Sequence, residues 1–144
     1  MNIKIMAALI ASTMLLTACG EKNEGNKSLT VTNTRHSECL SHNDKGAESP
    51  DTLSVVYDNG TLHVTHHNLY VNCGSALAGS VINVSVSVDG TTINIRETED
   101  ESNPQQRCMC EVDNQFDITG ITPGTYTLTL HNWYPEPQSF VYTF

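Results

Sequence analysis

Five cysteines hold most of the chemistry open to this 144-residue chain: Cys19, Cys39, Cys73, Cys108 and Cys110. Cys108 and Cys110 flank a single residue, Met109. A pair so spaced could do redox or thiolate-metal chemistry, or each sulfur could bridge a distant partner. Alternate residues of a strand share a face. Cys108 and Cys110 therefore point the same way as Val112, Phe116 and Ile118, and Cys73 points with Leu69 and Val71. Such sulfurs are expected in an apolar interior, where disulfides are structural and thiols are inert. A bridge between Cys108 and Cys110 would close a small, strained ring. Cys39 and Cys73 are thus the expected partners of the pair, in either order, and two disulfides result.

Six histidines could in principle bind metal: His36, His42, His63, His66, His67 and His131. A zinc site needs ligands converging on one point. His63 and His67 on one unbroken strand would stand about 13 Å apart at roughly 3.3 Å per residue. His66 and His67 point to opposite faces. The histidines are therefore expected at the surface, with no metal site and no cofactor. No Gly-x-Ser-x-Gly, His-Glu-x-x-His or phosphate-binding glycine loop is present. The carboxylates of 97–101 sit in one run rather than across a cleft, so no enzyme is expected.

Two segments suit binding. Asn132-Trp133-Tyr134-Pro135-Glu136-Pro137 carries the single tryptophan on a loop stiffened by proline. Trp133 and Tyr134 are the type of aromatic that anchors a protein or glycan partner. The polar stretch 98–107 ends at Arg107, next to Cys108. A loop fixed at its base by a disulfide resembles the binding loop of a protease inhibitor, with Arg107 as the recognition residue.

The fifth cysteine belongs to a different device. Residues 5–16 are almost wholly apolar, about twelve residues behind Lys4. That is shorter than the roughly twenty needed to span a bilayer and fits the core of a signal peptide. The run ends in Leu16-Thr17-Ala18-Cys19. This resembles the lipobox of bacterial lipoproteins: an aliphatic residue, a small residue, alanine or glycine, then cysteine. The resemblance implies cleavage before Cys19 and acylation of that residue, with palmitate-type chains holding the protein stably on a membrane. Gly20 stands where an aspartate would favour the inner membrane, so the outer membrane is expected, on either face. Residues 1–18 then form the signal peptide and the polar residues 19–28 a flexible tether. The mature chain keeps 6 basic against 16 acidic residues, a net charge of −10. That argues against nucleic acid as a partner.

The remaining residues, 29–144, must position these groups, and their pattern is β. A weak first strand is expected over 28–34, with Leu29 and Val31 on one face, and then a polar loop over 35–51. Leu53, Val55 and Tyr57 alternate with polar residues, and Asn59-Gly60 is a strong hairpin turn. Folding there pairs Tyr57 with Leu62 and Val55 with Val64. Parity changes between Val64 and Leu69, so a bulge is expected near His66-His67-Asn68. A turn at Asp89-Gly90 would place Val86 opposite Ile93 and Val84 opposite Ile95. Residues 96–107 are expected as an exposed loop, followed by strands at about 108–118, 124–132 and 138–144. Seven to eight short strands argue for an all-β, antiparallel sandwich.

Gly120-Ile121-Thr122-Pro123-Gly124-Thr125-Tyr126-Thr127-Leu128 resembles a segment of Ig-like and prealbumin-like sandwich domains of bacterial surface proteins. The resemblance covers nine residues, implies a fold and brings no catalytic group. With the lipobox and the Cys-x-Cys pair, the chain is similar to small lipoproteins of Gram-negative anaerobes. Asp51-Thr52-Leu53 also resembles an O-glycosylation acceptor of such bacteria. The expectation is a non-enzymatic, membrane-tethered binding or accessory module, with a lipid-anchored protease inhibitor as the alternative.

Overall fold

The computed structural model describes residues 28–40, 52–132 and 136–144. The expected signal peptide, Cys19 and all of the tether but Ser28 lie outside them. Eight strands are described: β1 (Thr30–His36), β2 (Thr52–Asp58), β3 (Thr61–Asn72), β4 (Ile82–Asp89), β5 (Thr92–Glu99), β6 (Met109–Thr119), β7 (Thr125–His131) and β8 (Gln138–Thr143). They form two four-stranded sheets, β1-β6-β3-β2 and β4-β5-β7-β8. The all-β sandwich is therefore as expected, with one refinement. β5 and β7 run parallel, whereas the other neighbours are antiparallel. The chain leaves β5 for β6 in the opposite sheet and returns as β7, and two reversals restore the direction.

The first hairpin has the expected register, Tyr57 against Leu62 and Val55 against Val64. Asn59 and Gly60 both take positive φ, at 45° and 87°, as a type I′ turn requires. The expected bulge is also present. Between His66 and Leu69 the β3–β6 register shifts, so that His67 and Asn68 face Asp113 alone. A second bulge sets Asn33 and Thr34 of β1 against Phe116. Each bulge holds an asparagine in the left-handed region, Asn68 at φ 62° and Asn33 at φ 55°. Asparagine tolerates that conformation better than most residues.

The second hairpin differs from expectation by two residues. Asp89 pairs with Thr92, so Gly90 and Thr91 make the turn, and Val86 faces Ile95 while Val84 faces Glu97. Parity survives a two-residue shift, and the apolar face is unchanged. The strand also runs on to Glu99, into the stretch expected as exposed loop. Glu97 is buried as a result. β1 likewise extends to His36, beyond the expected end at 34.

The interior consists of two apolar clusters. The larger holds Leu62, Val64, Ile93, Ile95, Phe116, Ile118, Leu128 and Leu130, joined by Ile121. The smaller holds Leu69, Val71, Cys73, Ala76, Ile82, Cys110 and Val112. A polar layer separates them. His66 on β3 and Asn114 on β6 point inward where their strands pass from one cluster to the other, and Glu97 points inward on β5 just past Ile95 of the larger cluster. Both His66 and Asn114 are fully buried. The Glu97 carboxylate accepts from His66 Nδ1 at 2.5 Å and from Asn114 Nδ2 at 2.7 Å. One carboxylate thus links the two sheets. His66 departs from the expected surface position because β3 keeps its inward parity until the bulge one residue later.

Between β3 and β4 the chain makes successive turns, and Gly74 packs against the Pro104 carbonyl so closely that a Cβ would overlap it. Removing Glu97 would leave two buried donors without their acceptor, at about 1–3 kcal/mol each. Glu97→Ala is therefore expected to destabilise the domain by about 3 kcal/mol in urea unfolding, with Glu97→Gln in between. Exposed Glu101→Ala should stay within about 0.5 kcal/mol. A Glu97→Ala loss as small as that of Glu101→Ala would show that the carboxylate does not hold the layer together.

Candidate functional site

Alternation along β3 and β6 aims one set of side chains at the core and the other at solvent. The outward set of the β1-β6-β3-β2 sheet is mostly polar, Val56 and Tyr70 apart, and several of its members are joined by cross-strand bonds. His63 sits opposite Asp117 and Thr65 opposite Gln115. His63 Nδ1 lies 2.7 Å from Asp117 Oδ1. The other oxygen of Asp117 accepts from Asn33 Nδ2 at 2.6 Å. Arg35 donates through Nε to Gln115 at 2.7 Å. The β1 bulge bends its strand beside these groups. A shallow groove of about 570 Å³ results, lined by Asn33, Arg35, His63, Thr65, Gln115 and Asp117 among others.

Next to this groove stands a chain of three groups from three strands. Ser54 Oγ on β2 lies 2.9 Å from His67 Nε2, and His67 Nδ1 lies 3.1 Å from Asp113 Oδ2. With Nδ1–H donated to the carboxylate, Nε2 accepts the serine hydroxyl. Asp113 also accepts from the backbone N–H of Asn68, in the bulge, at 3.4 Å. This is the order of a Ser–His–Asp relay, set on an open sheet face where Ser54 is exposed. Surface pairs of this type are worth about 0–1 kcal/mol each. They fix the orientation of the outward side chains. No sequence motif announces the arrangement, because its members come from separate strands and meet only through register.

Of the expected site residues, Trp133 and Tyr134 lie outside the described residues, as do Cys19 and His42. Arg107 is exposed, in the segment between β5 and β6. That segment begins at Asp100, since Thr98 and Glu99 belong to β5. Asn103 and Gln106 bond it to its surroundings. Asn103 is buried and bonds both the N–H and the carbonyl of Val81, at 2.9 and 2.7 Å. Asn72 accepts from the N–H of Gln106 at 2.9 Å and donates to its carbonyl at 2.7 Å. Glu99 accepts from Ser75 Oγ and from the Asn72 N–H.

The four cysteines after Cys19 pair as Cys39–Cys110 and Cys73–Cys108, which resolves the order left open by the sequence. Both bridges lie at the smaller apolar cluster. No family model, curated protein or solved structure matches the chain.

The groove also carries a titration signature. The Asn33 amide holds the Asp117 carboxyl below its ordinary 3.8, against partial burial, with the His63 hydrogen bond and the charges of His63 and Arg35 adding to the effect. A depressed carboxylate stabilises the fold above the unfolded pKa, and that contribution disappears as pH falls through the folded value. Asn33→Gly keeps the positive φ but removes the amide. It is expected to raise the Asp117 pKa, read by carboxyl-carbon NMR titration. An unmoved titration would show that another group sets it.

Proposed function

We propose that the chain is a lipid-anchored envelope lipoprotein, attached through Cys19, whose sandwich is a non-enzymatic binding or accessory module. The outer membrane is the proposed site of attachment, and a protein or glycan the proposed partner. The observation that carries the binding reading is the groove beside the β1 bulge. Its donors and acceptors are held in place by hydrogen bonds to one another, so little side-chain freedom is lost when a ligand docks. The Ser54–His67–Asp113 chain belongs to the same face and serves recognition, because a developing oxyanion there would stand in open solvent rather than in the dry, preorganised site that acyl transfer exploits. Trp133 and Tyr134 supply further anchoring area on this reading.

Two measurements test the proposal together. Cells fed an alkyne-tagged fatty acid should label the wild-type chain but not Cys19→Ala. The purified protein, screened on glycan and peptide arrays, should lose at least about tenfold in affinity for its best ligand in the Arg35→Ala/His63→Ala variant, about 1.4 kcal/mol. Labelling of Cys19→Ala would refute the anchor, and undiminished binding would exclude the groove.

One observation favours a second reading, a lipid-anchored protease inhibitor. Asn72 holds Gln106 on both sides, and the Cys73–Cys108 bridge closes the other flank of Arg107. An exposed arginine on so fixed a segment is preorganised for a protease cleft. Inhibition of a trypsin-like enzyme that vanishes in Arg107→Ala would establish this reading, and inactivity against a broad protease panel would remove it.

A further inference from the structure

The sulfur atoms of Cys39, Cys73 and Cys110 all lie within 4.8 Å of one another, and Cys108 is bonded to one of them. Two disulfides thus share one small volume. We propose that, once both are reduced, this cluster is a tetrathiolate site for a divalent cation of the zinc class.

Distance is the first argument. Four sulfurs placed tetrahedrally at about 2.3 Å from a zinc ion stand roughly 3.8 Å apart. The sulfurs of each bridge would separate to that spacing, those of Cys39, Cys73 and Cys110 already lie within 4.8 Å of one another, and Cys108, once freed from Cys73, would swing in as the fourth. Side-chain rotation supplies such shifts without moving a strand.

The second argument is that the backbone around each cysteine is held independently of the bridges. Cys110 pairs with Val71 and Met109 with Asn72 in the β3–β6 ladder. The Cys73 N–H donates to the Cys108 carbonyl at 3.0 Å. Cys39 is bracketed by bonds from Ser37 to Asp113 and from Leu40 to Glu111, both 2.9 Å. Reduction therefore leaves three gathered thiols, with that of Cys108 released beside Cys73. A site whose ligands are already gathered loses little entropy on metal binding.

The surroundings set the chemistry. Leu69, Val71, Ala76, Ile82 and Val112 pack around the sulfurs. This apolar wall lines the buried side of the cluster, with Cys39 and Cys108 only partly buried, and a ligand set of sulfur alone selects a soft or borderline cation over magnesium or calcium. The balance is simple. Two equivalents of a dithiol reductant give up four electrons and four protons, converting both bridges to four thiols while the reductant closes to its own disulfides. One divalent cation then displaces four protons and forms four metal–sulfur bonds, leaving a site of charge −2. The cation restores between β1, β3 and β6 the covalent connection that reduction removed.

The test uses the full-length protein, reduced anaerobically with a phosphine, freed of reductant and titrated with cobalt(II). The expected result is a set of visible ligand-field bands and a near-ultraviolet thiolate-to-cobalt band that saturate at one equivalent and are displaced by one equivalent of zinc. The oxidised protein should give neither. Cys73→Ser and Cys110→Ser should each weaken cobalt binding at least about tenfold and lower the band intensity. Circular dichroism followed in parallel covers the case in which reduction unfolds the chain, because one equivalent of zinc should then restore the strand spectrum. Absence of the bands, saturation without a defined stoichiometry, or a reduced chain that zinc does not refold would overturn the proposal.

Discussion

Two covalent links fix the end of the sandwich where the β5–β6 segment re-enters the sheet. Cys108 and Cys110, one residue apart, reach to Cys73 at the end of β3 and to Cys39 beyond β1. The links span 35 and 71 residues of chain. In the chain-entropy picture each loop closure alone is worth about 4 kcal/mol, comparable with the net stability of a small domain. The smaller apolar cluster depends on this, because it contains few large side chains and its walls are turns as much as strands. The turns after β3, the bonded segment before Arg107 and the tail of β1 all converge on the same four sulfurs.

The polar layer carries out a related task in the middle of the molecule. Hydrophobic burial is not directional, so two apolar clusters in line would tolerate sliding of one sheet over the other. Glu97 must meet His66 and Asn114 together, and only one register does so. The same carboxylate explains why β5 continues past its apolar run, because an inward Glu97 is tolerable only where partners already wait. Bulges at Asn68 and Asn33 then let β3 and β1 change parity without breaking their ladders. The outward histidines are aligned with their aspartates as a consequence.

Much of this was legible in the sequence where local chemistry decides the outcome. Asn59-Gly60 dictates both the turn and the register of its hairpin, and the parity change in β3 demands a bulge. The second hairpin shows the limit. Asp89-Gly90 and Gly90-Thr91 preserve the same alternation, so the apolar pattern cannot choose between registers two residues apart. That ambiguity concealed the burial of Glu97, since the shorter register ends the strand before it. Acidic residues in 97–101 read as solvated because the partners of Glu97 are 31 and 17 residues away along the chain. The cysteine order was equally open, since either order satisfies the core-facing parity. Ser54, His67 and Asp113 could be found only once three strands were in register.

The proposed binding module rests on the same division of faces, with sulfurs and the polar layer inside and a pre-bonded polar face outside. This arrangement requires Cys108 to reach Cys73 and Cys110 to reach Cys39, and the sequence supplies a direct means of checking. Met109 is the only methionine after Cys19, Lys45 separates Cys39 from Cys73, and Arg96 and Arg107 separate Cys73 from Cys108. Cyanogen bromide and trypsin acting on the unreduced protein therefore place every one of these four cysteines on its own peptide. Mass spectrometry should find residues 36–45 joined to 110–144 and residues 46–96 joined to 108–109. The opposite pairing, or four cysteines that alkylate without reduction, would contradict the account.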